Sequence, residues 1–279
     1  MVKLPKISIV IPTYNMYESL KNCINSLKDQ TYRDYEVIII DDGSKDNTKS
    51  IFDSMNDRRF RYFKQENKGP ATARNLGISK AKGKIIAFTD ADCITHKDWL
   101  KFIYLSFKNN DIECVKGRTE VANSDSSFAN SVRNHIYSFS WYATNNIAYS
   151  KKVLEKLNYF DGSSFPIAGS EDGDLAWRFK LKGYSRIYCP EMVVFHIYEE
   201  NMKEYERNCY RYGVGMSYFF KKHLKPNPLL AFGQVAYQIP PLFYYPFLGR
   251  KGYLKMIQSF HVLKGFLYTL LNKHISFKK

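Results

Sequence analysis

Over its first 90 residues the chain alternates short apolar runs with stretches of helical period, and this alternation restricts the fold more than any other feature. ISIVI (7–11) and VIII (37–40) read as buried strands, a third strand is expected near 60–65, and IIAF (85–88) supplies a fourth. Between the first two, Met16 to Asp29 places Leu20, Cys23, Ile24 and Leu27 on one helical face. Ser44 is the expected N-cap of a helix running through Met55, and a further helix is expected near 70–81. Strands separated by helices of this length specify an α/β fold with a doubly wound, mostly parallel sheet. Ligands of such sheets lie beyond the carboxyl ends of the strands. The residues there are Pro12, Thr13, Tyr14 and Asn15, then Asp41, Asp42, Gly43 and Ser44, then Thr89, Asp90, Ala91 and Asp92. Brought to one edge, they give a cleft of hydroxyl, phenol and carboxylate groups, although each alone also reads as a turn or a helix cap.

With 44% hydrophobic and 25% charged residues, the 279-residue chain has the composition of a folded protein and can bury a full core, which excludes disordered and collagen-like classes. Two parts are expected: a catalytic domain over 1–200 and a basic, aromatic, helical region over 201–279. Five scattered cysteines without a C-x-x-C pair support neither a disulfide framework nor a cysteine zinc site, and imply a reducing compartment. MVKLPKISIVIP has an apolar run too short for a secretory signal, so a cytosolic location is expected.

Two carboxylates at a strand end, Asp90 and Asp92, can share a hard divalent cation, Mg²⁺ or Mn²⁺, or can simply end the strand as an acidic turn. Neither a G-x-x-x-x-G-K-[ST] loop nor a G-x-G-x-x-G turn is present, so a metal must carry any diphosphate. Arg74 could add a second positive charge by bidentate pairing to phosphate, or be an exposed helix arginine. At SEDGDLAWRFKLKG, Ser170 reads as an N-cap, Leu175, Phe179 and Trp177 as inward residues, and Gly183 as the stop. Glu171 and Asp172 there are explained by capping and the helix dipole, or by one carboxylate facing the cleft as a general base, ionised but weakly basic.

These pieces occur together and in order. IVIPTYN, VIIIDDGSKDNT, GPATARNLGISKAKGKIIAFTDADC, NIAYSKKVLEKLNYFD and SEDGDLAWRFKLKGY, spanning residue 7 to about 196, resemble the inverting GT-A-fold glycosyltransferases of family 2. The resemblance implies that Pro12, Thr13 and Tyr14, with one of Asp41 and Asp42, hold the nucleobase of a sugar nucleotide, and that Arg74 lies beside base and phosphates. It implies a D-x-D motif at Asp90, Ala91 and Asp92, the first aspartate near ribose and metal and the second a direct ligand of Mn²⁺ or Mg²⁺. It makes Asp172 the base of a Glu171-Asp172 pair and sets His196 near the metal and diphosphate; a lone His after an apolar run is otherwise a packed or surface residue. The implied reaction moves a sugar from a nucleotide diphosphate, preferably UDP, to a hydroxyl of a glycan or lipid-linked acceptor. Relatives that glycosylate a polyprenyl phosphate need no base, so the intact acidic pair tilts toward a hydroxyl.

The formal charge of +15 is uneven. Residues 201–279 carry 13 Lys+Arg against 2 Asp+Glu, and the first 200 residues 29 against 25. Residues 226–249 hold no charge, are rich in Phe and Tyr, and are broken by Pro240, Pro241 and Pro246; an amphipathic stretch follows at 256–271. This pattern fits a peripheral segment docked on the anionic cytoplasmic face of a membrane. The bland alternative is that these residues cover the domain's own apolar face or form a homodimer. Nucleic acid is the competing partner, but a long uncharged run tracks phosphates poorly. A nucleotidyltransferase is the rival reaction, and KISIVIPTYN lacks the glycine-rich, basic signature it would need.

Overall fold

The structure, a computed structural model, describes residues 5–53, 55–109, 111–122, 143–165, 169–197, 202–223 and 259–267. In chain order these form β1 (Ile7–Thr13), α1 (Tyr17–Lys28), β2 (Tyr35–Asp41), a 3₁₀ turn (Asn47–Lys49), α2 (Ser50–Asp53), β3 (Phe60–Lys64), α3 (Pro70–Lys80), β4 (Ile85–Phe88), β5 (Cys93–Thr95), α4 (Trp99–Asn109), β6 (Cys114–Val121) and β7 (Ile147–Ser150). They continue with α5 (Lys151–Lys156), α6 (Glu171–Leu181), β8 (Arg186–His196) and α7 (Met202–His223). A last helical stretch covers 259–267.

All eight strands join one sheet in the order β3-β2-β1-β4-β7-β6-β8-β5. The half from β3 to β4 is parallel, as the alternating strands and helices require. Beyond β4 the sheet turns mixed: β7 runs antiparallel to both β4 and β6, β6 is parallel to β8, and β5 is antiparallel to β8. Both faces of the parallel half are covered. Ile7, Ile9 and Ile11 with Val37 and Ile39 point into a core under α1 and α4, while Val10 with Ile38 and Ile40 points into a second core under α3, α5 and α6. That is why these strands read as unbroken apolar runs. Gly77 lets α3 approach β1 closely, because a Cβ there would collide with the Val10 side chain.

Two expected caps are absent. The helix assigned to Ser44 does not start there; Asp46 caps the 3₁₀ turn by accepting from the Thr48 amide, and α2 ends at Asp53. Ser44 instead donates its amide to Asp41 Oδ1 and accepts from Asn15 N through its hydroxyl. Ser170 stands in left-handed backbone with φ 90° and makes no side-chain cap, so capping by Ser170 does not account for the acids that follow. Gly183, with φ 67°, does follow the last turn of α6. Leu175 and Phe179 are buried as expected, whereas Trp177 is half-buried and faces α7, its ring edge-on to Phe219.

α7 packs across the entrance to α6. Gly215 lies so close to Gly169 that a Cβ would overlap the Gly169 carbonyl oxygen. Its last turn is held by a buried carboxylate: Asp174 accepts from Arg178 at 2.7 Å, Lys222 at 2.7 Å and His223 at 2.8 Å. Tyr205 and Cys209 of α7 bury with Val262, which brings 259–267 onto the same helix. Residues 226–249 lie outside the described residues. Among the described residues no helix is long and apolar enough to cross a membrane. All five cysteines are free.

Candidate active site

The carboxyl ends of β1, β2 and β4 meet at one edge. Thr13 ends β1, 3% exposed, and its carbonyl accepts from the Asp42 amide; Tyr14 follows, 40% exposed, at the mouth. Pro12 is half-buried and registers with Ile40. Asp41 and Asp42 are both buried, and both are engaged by the chain itself. Asp41 accepts from Tyr62 Oη at 2.5 Å and from the Ser44 amide at 2.7 Å, and burial with this bond pushes the Tyr62 phenol up. Asp42 accepts from Gln65 Nε2 and from the amides of Lys68 and Gly69, all at 2.8–2.9 Å, which fastens the turn before α3. The hydroxyls of Thr13 and Thr89, at the ends of neighbouring strands, are buried without a hydrogen-bond partner among the described residues.

The residues after β4 divide into two roles. Asp90 accepts from Arg74 at 3.0 Å. Ala91 is 1% exposed and its methyl belongs to the core under α1, so only its backbone faces the cleft. Asp92 lies on the other side, where its Oδ1 is 3.3 Å from His196 Nε2, the last residue of β8. The Ile197 amide donates to the Asp92 carbonyl at 2.8 Å and fixes that meeting. Burial raises the Asp92 pKa, Asp90 adds to the rise, and His196 opposes it.

Ligand atoms of Asp92, Cys93 and His196 all lie within 4.8 Å of one another. Cys93 is fully buried, and in the metal-free protein burial pushes its thiol far up. The Asp92 carboxylate and the His196 imidazole offer one oxygen and one nitrogen donor to a divalent ion.

α6 delivers the third acidic group. Glu171 is buried, accepts from Arg74 at 3.0 Å through Oε1, and takes the Gly169 amide at 2.7 Å through Oε2. Arg74 is therefore bound between Asp90 and Glu171, residues 16 and 97 positions away, and its charge is already matched. One Arg74 donor, Nε, is buried without a hydrogen-bond partner among the described residues. Asp172, next along the helix, accepts one hydrogen bond, from the Gly173 amide. Burial and the neighbouring Glu171 push its pKa up to about 6, against the pull of Arg74, Gly173 and Lys116. In the metal-free protein burial and Glu171 thus outweigh the pull of Arg74.

The structure joins Arg74 to Asp90 and Glu171 with Asp172 beside them, sets His196 against Asp92, and ties the ends of β1 and β2 together through Asp42 and Thr13. Sequence reasoning missed Cys93 beside Asp92, and Lys116, a lysine 7% exposed on β6 whose pKa burial lowers to about 8. A charge inside the apolar start of CVKGRTEV is the signal that could have found it.

A family model described as Glycosyl transferase family 2 matches residues 8–167. Glycosyltransferase AglE of Haloferax volcanii is 31% identical over 209 residues, covering 69% of this chain and 67% of that protein. Other curated glycosyltransferases match over 38% and 18% of their own length. Among solved structures, mannosyltransferase PcManGT of Pyrobaculum calidifontis, in complex with GDP-Man and Mn²⁺, superposes with a TM-score of 0.70 at 17% identity, covering 98% of this chain and 89% of that one. TarS 1–349 of S. aureus in complex with UDP-GlcNAc gives 0.60 at 17% identity, covering 94% and 92%.

Proposed function

We propose that this chain, which belongs to glycosyl transferase family 2 and is a glycosyltransferase of GT-A fold, inverts the anomeric centre of a nucleotide-activated sugar as it moves that sugar to a hydroxyl on a glycan or lipid-linked acceptor. The observation that carries the reading is Asp172: a carboxylate with one hydrogen bond, beside Arg74 and Glu171, whose pKa near 6 suits it to take a proton at neutral pH. A polyprenyl phosphate acceptor would have no proton to lose, and would leave this carboxylate without work.

Asp92 and His196 would hold a divalent ion, Mn²⁺ or Mg²⁺, which when bound spreads the charge growing on a leaving diphosphate. Thr13 and Thr89 offer two unpaired hydroxyls at the strand ends, and Tyr14 an exposed ring, as the base-binding edge. Asp42 or Asp41 would meet the base only by sharing oxygens already in use, an arrangement open to a carboxylate with about four acceptor sites. UDP is the preferred nucleotide, because an aspartate pairing with a base edge suits uracil. Asp90 orients Arg74, and Arg74 with Glu171 holds the first turn of α6. Residues 1–200 form the catalytic part, and the basic 201–279 region brings it to an anionic cytoplasmic membrane face.

The test is a screen of sugar nucleotides for hydrolysis and thermal shift, with and without Mn²⁺. A metal-dependent response confined to nucleotide sugars supports the reading. Indifference to every nucleotide sugar, or full turnover by Asp172→Asn, contradicts it.

A further inference from the structure

Lys116 is a buried cation for which the mechanism above has no use. Strand alternation fixes its direction: Val115 belongs to the core under α1 and α4, and Cys114 to the core under α3, α5 and α6. Lys116 shares the face of Cys114. That face is the one that α3 and α6 cover, with Arg74 on the first and Asp172 on the second. Register fixes its height: Lys116 lies opposite Ile147 on β7, and Ile147 lies opposite Phe88 on β4. Lys116 is thus two strand spacings, roughly 10 Å, from the residue that precedes Thr89 and Asp90.

An ammonium carries three donors, and among the described residues the Lys116 Nζ meets one oxygen, Ala143 O at 3.3 Å. Leaving donors unpaired in a buried place is costly, and an apolar residue would fill the position without that cost. Asp172 and Asp90 both act on its charge, yet neither forms an ion pair with it. Arg74 differs, being matched by Asp90 and Glu171.

We propose that Lys116 is a substrate-contacting residue whose Nζ donates to hydroxyl oxygens of the transferred sugar, and so selects among donor sugars. This rests on the reading of the site as one for nucleotide sugars. The sugar is the part of the donor within reach. His196, beside Asp92, pairs with Val121, five residues farther along β6. A sugar bound between Asp90 and Asp172, whose charges both act on Lys116, would supply the acceptors that Nζ lacks.

The test compares full-length wild type with Lys116→Met by calorimetry in Mn²⁺, using UDP and GDP alone and then UDP-GlcNAc, UDP-glucose and GDP-mannose. Lys116→Met keeps the affinity for UDP and GDP within about twofold, and weakens the best nucleotide sugar about tenfold or more. The variant unfolds at the wild-type temperature or above, since a thioether replaces a buried charge. Lys116→Gln, which retains two N–H donors, recovers part of the lost affinity. Equal weakening of nucleotide and nucleotide sugar, no weakening of either, or a lowered unfolding temperature overturns the assignment. Wild type that binds neither UDP, GDP nor any of these sugars overturns the glycosyl-transfer reading itself, and the role of Lys116 with it.

Discussion

Asp42, at the end of β2, accepts three hydrogen bonds from Gln65, Lys68 and Gly69, whereas Asp172, in the first turn of α6, accepts one from its own neighbour. The contrast holds for the surroundings. In the parallel half, acids at the strand ends are consumed in fastening turns, as Asp41 is by Tyr62 and Ser44. In the mixed half, two of the three acids of α6 are likewise consumed: Glu171 by Arg74, and Asp174 by Arg178, Lys222 and His223. Asp172 stands between two saturated neighbours and is left poorly matched. A carboxylate with full partners contributes to the fold, and one without them keeps its proton longer and can exchange it with a ligand.

The largest effect expected from that contrast is on turnover. Asp172→Asn lowers kcat by roughly 10²–10⁴-fold while the Kd for nucleotide stays put, and Asp92→Ala weakens metal-dependent nucleotide binding as well as turnover. Parallel calorimetry and steady-state kinetics separate the two variants. A shared phenotype would break the division between binding and proton transfer.

Next comes the saturated neighbour. Asp174→Ala strips the partner from Arg178, Lys222 and His223, and breaking a buried ion cluster costs about 3–5 kcal/mol. Denaturant unfolding reads that loss directly. The same change frees the last turn of α7, the helix whose Gly215 abuts Gly169 just ahead of the base, so kcat should fall while the nucleotide Kd holds. Asp42→Ala, at the other saturated site, costs about 1–3 kcal/mol by leaving the Lys68 and Gly69 amides unmatched.

A smaller effect follows from pH. The folded protein binds the Asp172 proton up to about pH 6, whereas an aspartate in an unfolded chain releases it near ~3.9. Ionising Asp172 therefore costs folding stability above that window, and the cost is absent below it. Metal-free Asp172→Asn accordingly melts above wild type at pH 7.5, and the two coincide near pH 4 by calorimetry. Turnover moves the opposite way and declines as pH falls through 6. A wild type that is the more stable protein at pH 7.5 would mean Asp172 is stabilised as an anion.

How much of this the sequence discloses depends on the range of the interaction. β1, β2, β4 and α1 are legible because the strands are buried on both faces and the helix shows one apolar stripe, whereas α3 buries Ala71, Ala73, Arg74, Gly77 and Ile78 without one. β8 is not, since its first six residues are exposed or half-buried and only Met192, Val193 and Val194 enter a core. Ser44 and Ser170 have the right residue type for caps, but Ser170 sits in a left-handed conformation that no local pattern announces. The acids of the cleft are visible as motifs, whereas their saturation is not: Arg74 meets Glu171 across 97 residues and His223 meets Asp174 across 49. Lys116 requires the register of β4, β7 and β6 together before its height along the sheet can be stated.

The measurement closest to the central claim is a site-resolved ¹³C titration of the Asp172 side-chain carboxyl in the metal-free protein, set against the pH dependence of kcat. A midpoint near 6, coinciding with the acidic limb of turnover, is the predicted result. A midpoint near 4, with turnover unchanged across pH 5–7, would contradict the assignment of Asp172 as the group that takes the acceptor's proton.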